Sequence, residues 1–174
     1  VLCNPNNPTG RLLKKDEVIK IADSAKELKC YLIVDEAFID FCPGESVIKE
    51  VNKNPYLIVL RSLTKFYALA GLRLGYAAFP LSLAKLIEDH KEPWTINTLA
   101  QRAGIVAVSD RSFRNETFRI IKKEKKFLEE GFEKLGIDYI PSAVNYYLIR
   151  TKKATDIIAS LKNKGILVRD CSNF

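Results

Sequence analysis

Methionine is absent from the sequence, and histidine and tryptophan occur once each. The single histidine, His90, falls at the end of a helical pattern, where a lone histidine carries no direct chemistry. Cysteine is sparse as well. Cys3, Cys30, Cys42 and Cys171 form no Cys-x-x-Cys pair and no zinc spacing, so no metal site is expected. Scattered single cysteines fit a reducing compartment, and cytoplasm is the expectation. No apolar run approaches the ~20 residues that span a bilayer, so no membrane partner is expected. Internal repeats and low-complexity tracts are lacking, and no nucleic-acid-binding motif accompanies the surplus of positive charge.

That surplus is +7, from 28 Lys and Arg against 21 Asp and Glu, and it points to anionic partners without separating nucleic acids from phosphorylated metabolites. Much of it lies at 122–126, inside a helical pattern whose inner side is Ile120, Ile121, Phe127, Leu128, Phe132 and Leu135. A solvated helix face accounts for these lysines.

Helical and strand-like patterns alternate along the first part of the chain. Val18, Ile21, Ala22, Ala25 and Leu28 recur at helical spacing over 16–28. Short, wholly apolar runs at 31–34 and 57–60 have the character of strands covered on both faces. Helix alternating with buried strand predicts an α/β fold with a mostly parallel sheet. Further strands are expected at 74–79, 146–149 and 165–168, one helical turn at 47–51, and helices at 82–88, 98–108, 111–135 and 155–164. Asp110 is expected to cap the long helix and Gly136 to end it. The division expected is a large α/β unit over 1–109 and a smaller α+β unit over 110–174, both partial.

Three stretches carry the chemistry. In Arg61-Ser62-Leu63-Thr64-Lys65-Phe66-Tyr67, a lysine follows two hydroxyl side chains, with Arg73 eight residues on. Lysine is rarely buried without reason, and in apolar surroundings its amine is easier to deprotonate and so becomes a nucleophile toward aldehydes. Ser62, Thr64 and Arg73 supply the donors a phosphate monoester needs. An aldehyde carrying a phosphate describes pyridoxal 5'-phosphate. A surface lysine between two strands is the plainer alternative. The other two stretches are the turn Asn4 to Gly10, with its two prolines, and Tyr31 to Phe38, where Asp35 ends an apolar strand. Ligands of open α/β sheets bind beyond the carboxyl ends of such strands. Asp35 there is either a cap or a carboxylate for a pyridine nitrogen.

Asn-Pro-Thr-Gly, then Asp-Glu-Ala-Phe, then Ser-x-Thr-Lys with its later arginine together resemble the fold-type I superfamily of pyridoxal-phosphate aminotransferases. The resemblance runs through essentially the whole chain. Within it, the wording around Asp35 and Lys65 is most similar to the threonine-phosphate decarboxylases, with the histidinol-phosphate aminotransferases next. The resemblance implies a three-layer large domain, a small α+β domain and a homodimer. It also implies that the chain is the middle and later part of a longer enzyme. Lys65 would hold the cofactor, Asp35 would pair with its ring nitrogen, and Asn7 would bond its 3'-hydroxyl oxygen. Ser62, Thr64 and Arg73 would hold its phosphate. Asn145 and Arg169 resemble positions facing a phosphorylated amino-acid substrate, and Trp94 and Asn97 resemble a segment at the site's mouth. Phe38 departs from the tyrosine most relatives carry and cannot donate that hydroxyl's bond. This is consistent with the decarboxylases. Decarboxylation of threonine phosphate is the first expectation, transamination of a histidinol-phosphate type the second. A regulator retaining the fold without activity is opposed by the presence of both Asp35 and Lys65.

Overall fold

In the computed structural model, which describes residues 1–173, four strands form one sheet in the order in which they occur. They are β1 (Leu2–Cys3), β2 (Leu32–Asp35), β3 (Leu57–Ser62) and β4 (Gly75–Ala78). The first three are parallel, with Cys3 opposite Asp35 and Asp35 opposite Leu60. β4 runs antiparallel to β3, pairing Arg61 with Tyr76 and Ser62 with Gly75. Its direction follows from the connection. The segment between β3 and β4 holds only one short 3-10 turn, Ala70–Leu72, and no crossover helix to carry the chain back for a parallel return. Gly75 is required at this crossing, since a Cβ there would lie 2.8 Å from the Arg61 carbonyl oxygen.

Helix α1 (Lys15–Glu27) covers one face of the sheet, burying Val18 and Ala22 against Val34, Leu57 and Val59. The buried stripe is narrower than its spacing suggests, because Ile21 and Leu28 are exposed. The 3-10 turns Ile39–Phe41, Pro43–Glu45 and Ile48–Lys53 wrap from β2 back to β3, where one turn at 47–51 was expected. Then come α2 (Leu81–His90), α3 (Thr98–Ser109) and α4 (Arg111–Lys134). Asp110 caps α4, accepting a hydrogen bond from the Phe113 amide. A two-stranded antiparallel ribbon, β5 (Tyr139–Ile140) with β6 (Leu148–Ile149), precedes α5 (Ala154–Asn163).

Three expectations fail in this second half, the first being the inner side read for α4, since Ile120, Phe127, Leu128 and Leu135 are exposed. Residues 165–168 form no strand; they are exposed coil, and no neighbouring strand among the described residues offers them a ladder to pair with. Nor are all the lysines of α4 solvated. Lys125 turns inward and donates to the carbonyls of Ser142 and Val144, with its Nζ 4.7 Å from the Tyr147 ring centroid. Phe174, the last residue of the expected second unit, lies outside the described residues. No helix among the described residues is long and apolar enough to cross a membrane.

The second half of the chain is stitched to the first at Gly10. Its carbonyl accepts the Ala143 amide at 2.8 Å, its φ is +71°, and an added Cβ would collide with Ser142 Oγ and lie 2.7 Å from Ser142 Cβ. Gly10→Ala combines a left-handed backbone with a backbone-proximal clash. It is expected to destabilise the protein by about 1–3 kcal/mol, and urea unfolding checks it. A cost indistinguishable from zero contradicts this packing.

Candidate active site

The carboxyl ends of β1, β2 and β3 lie side by side, and each leads into one of the three stretches singled out in the sequence.

After β1, the turn from Asn4 is closed by its own side chains. Asn4 is buried; its amide donates to the Leu13 carbonyl at 3.1 Å and its Oδ1 accepts the Leu13 amide at 2.8 Å. Asn6 Oδ1 accepts the Thr9 hydroxyl at 2.6 Å, and the Asn6 carbonyl accepts the Gly10 amide at 2.7 Å. Asn7 is exposed, and none of the loop's hydrogen bonds uses its side chain. The turn also leans on the second half of the chain, since the Tyr146 hydroxyl donates to the Asn6 carbonyl at 2.9 Å. Burial pushes the Tyr146 hydroxyl's pKa up, with the Cys3 thiol adding to the effect, so it remains a donor at neutral pH. Tyr146→Phe leaves that carbonyl without this partner. It is expected to cost about 1 kcal/mol, lowering the unfolding midpoint by roughly 2–4 °C for a chain of this size. Calorimetry checks it, and an unchanged midpoint would remove the bond's role.

After β2, Asp35 Oδ1 accepts the Ala37 amide at 2.9 Å, which fixes the carboxylate's direction while leaving Oδ2 outside the hydrogen bonds among the described residues. Phe38 packs edge-on against Tyr146 at 5.0 Å between ring centroids, and Lys65 Nζ lies 5.8 Å from the Phe38 ring centroid.

After β3, the Ser62 and Thr64 hydroxyls are 2.7 Å apart. One of their two hydrogens is spent on this pair, which leaves one to donate outward. Lys65 is exposed, not buried as its apolar neighbours suggested. Leu63, Phe66, Tyr67 and Leu74 turn the other way, into a second core cluster with Phe41 and Phe118. They anchor the loop and hold the lysine out at the rim. Arg73 is also exposed, with φ +53°, and its Nη1 donates to the Ala70 carbonyl at 3.1 Å.

The remaining candidates are dispersed. Asn145 is exposed beside Tyr146, and Arg169 is exposed in the irregular chain beyond α5. Asn97 is spent as the cap of α3, accepting the Ala100 amide at 2.8 Å, and Trp94 projects into solvent. His90 bonds its own helix, at the Leu86 carbonyl. Two clefts lie close by, of about 570 Å³ between the first turn and Pro141 to Ala143 and of about 410 Å³ between Tyr67 and Asp110. Neither is lined by Asp35 or Lys65.

Sequence reasoning missed the charged residues behind this rim. Arg61 bridges Glu36, at 3.1 Å, and Asp40, at 2.6 Å. Burial pushes the Glu36 carboxyl's pKa up, outweighing the opposite pull of Ser46, Val47 and Arg61. The available signal was two charged residues directly following or ending apolar strands, a placement that demands a partner.

The model of the family described as aminotransferase class I and II matches residues 1–174. A threonine-phosphate decarboxylase of Salmonella typhimurium is 39% identical over 178 residues, covering 99% of this chain and 49% of that protein. Histidinol-phosphate aminotransferase 2 of Carboxydothermus hydrogenoformans is 36% identical over 173 residues, covering 97% and 48%. Among solved structures, a histidinol-phosphate aminotransferase from Clostridium acetobutylicum superposes with a TM-score of 0.93 at 34% identity, covering 99% of this chain and 54% of that one. Another, from Sinorhizobium meliloti in complex with pyridoxal-5'-phosphate, gives 0.87 at 25% identity, covering 97% and 47%. The chain thus spans about half the length of the curated relatives it matches.

Proposed function

The chain belongs to the class I and II aminotransferase family, and on that footing we propose that the whole protein is a pyridoxal-phosphate enzyme acting on a phosphorylated amino acid. The observation that carries this is the placement of Asp35 and Lys65 at and just beyond the carboxyl ends of adjacent parallel strands, with the paired hydroxyls of Ser62 and Thr64 three residues and one residue before the lysine. The donor set fits the cofactor. Lys65 offers an exposed amine to its aldehyde, and the outward hydroxyl of the Ser62–Thr64 pair with the Arg73 guanidinium suits its phosphate. Asp35 Oδ2 suits its ring nitrogen, and Asn7 its 3'-oxygen. When bound, the group supplies an electron sink for a carbanion at the substrate's Cα. Asp35 would hold the proton on the ring nitrogen, and Lys65 would be the base that moves a proton at Cα.

The finer assignment is decarboxylation of threonine O-3-phosphate, supported by the 39% relative and, on the resemblance, by Phe38, which has no hydroxyl to donate. Amino transfer of the histidinol-phosphate type is the second reading, supported by the 36% relative. Asn145 and Arg169 are assigned to the substrate, Arg169 to its phosphate. We place the division between the two units at 109/110, where Asp110 separates α3 from α4, and take the enzyme to be a cytoplasmic homodimer. Borohydride reduction of the holoenzyme followed by peptide mapping tests the assignment. The pyridoxyl label is expected on Lys65, and a label on another lysine overturns it.

A further inference from the structure

Asp35 and Lys65 stand on separate strand ends, and a buried ion network joins those ends from behind. Glu36 directly follows Asp35, and Arg61 lies four residues before Lys65. The Glu36 side chain is 1% exposed and that of Arg61 10%. Arg61 Nη1 donates to Glu36 Oε2 at 3.1 Å and to Ser46 Oγ at 3.2 Å, and Nη2 donates to Asp40 Oδ1 at 2.6 Å. Glu36 also accepts the Ser46 hydroxyl and the Val47 amide, each at 2.7 Å. The guanidinium carbon lies 6.0 Å from the ring centroid of Tyr76, the cross-strand partner of Arg61. Arg61 Nε is buried and has no hydrogen-bond partner among the described residues.

Stability alone is a poor reason for this arrangement. Two buried carboxylates face one guanidinium, and replacing such clusters by apolar groups is often neutral or stabilising. The orphaned Nε–H adds a desolvation cost. What a planar, rigid fork does well is fix the separation of two carboxylates. Here one of them is the neighbour of Asp35, and the fork itself belongs to the strand that delivers Lys65. We propose that Arg61 is a positioning residue which, through Glu36 and Asp40, sets the separation of Asp35 from Lys65. The proposal rests on the assignment of those two residues to the cofactor made above.

Arg61→Lys keeps the charge and loses the fork, and Asp40→Asn keeps the shape and loses one ionic partner. Both are compared with wild type as holoenzymes, by borohydride labelling, pH titration of the cofactor's visible absorbance, steady-state kinetics and thermal unfolding. The label is expected to stay on Lys65. The titration midpoint is expected to move by about half a pH unit or more, and kcat to fall about tenfold or more, with KM changed much less. Unchanged midpoint and kcat in both variants, with only the unfolding temperature lowered, overturns the proposal and makes the network structural. Should Arg61→Lys fail to fold, the isosteric Asp40→Asn decides alone, and loss of fold in both counts against a positioning role. Failure of the underlying assignment is separately visible, as a label away from Lys65 in wild type.

Discussion

Asp35→Ala is expected to retain pyridoxal phosphate yet lose turnover by on the order of 10²–10³-fold, or about 2.7–4 kcal/mol of transition-state stabilisation. The two effects separate because different residues carry them. On the proposed assignment, attachment would fall to Lys65, and the phosphate contacts to Ser62, Thr64 and Arg73, so removing Asp35 would leave most of the binding in place. On the same assignment, electron demand at the ring would fall to Asp35. In a site shielded from water, a carboxylate paired with a cationic nitrogen is far stronger than the same pair at a surface. The chain already prepares the carboxylate for this, since the Ala37 amide fixes Oδ1 and leaves Oδ2 unengaged. Asp35→Asn isolates the charge, because its side-chain oxygen can still accept the Ala37 amide. Its turnover should fall about as far as that of the alanine variant. Cofactor content after desalting, read by absorbance, and kcat measured on the same samples check both. Near-normal turnover in Asp35→Ala reduces the residue to a cap of the turn after β2.

Asp35 was legible because its strand is short and apolar, so that a charge at its end stands out, although only Val34 of that strand is buried, not the whole run as expected. The same logic places β3 and hence Lys65. It failed for the lysine's exposure, since counting apolar neighbours says nothing about which way each side chain points. In the structure Leu63, Phe66 and Tyr67 face a core formed with Phe118, far along the chain. Pairing across distance was equally out of reach. Arg61 meets Glu36 across 25 residues, and Tyr146 meets the Asn6 carbonyl across 140. An apolar tetrapeptide at 165–168 has strand character, yet it needs a neighbour to become a strand, and periodicity cannot supply one. Helix ends fared better because their signals are local. Asp110 caps α4 through the amide three residues on, within reach of its own side chain.

Which bond breaks at the substrate's Cα would depend on where its anionic groups are held, because that orients the substrate before reaction. On the proposed assignment, a phosphate held by Arg169 with the carboxylate left free would favour carbon–carbon cleavage. A carboxylate held instead would leave the Cα proton within reach of Lys65 and favour amino transfer. Phe38 bears on this choice. Its ring lies edge-on to Tyr146 and 5.8 Å from the Lys65 amine and has no hydroxyl to offer, so it can shape the space beside the lysine but not donate a bond there. The expected result is that the holoenzyme releases carbon dioxide from O-phosphothreonine and leaves aminopropanol phosphate, with little glutamate formed from histidinol phosphate and 2-oxoglutarate. Incubating it with each substrate separately and measuring carbon dioxide and glutamate decides between the two reactions. Glutamate in the second incubation with no carbon dioxide in the first installs the aminotransferase. Arg169→Ala should then sharpen the assignment, since a residue that orients the phosphate lowers decarboxylation of O-phosphothreonine by about 10²-fold when lost. An unchanged rate in that variant would place the phosphate elsewhere.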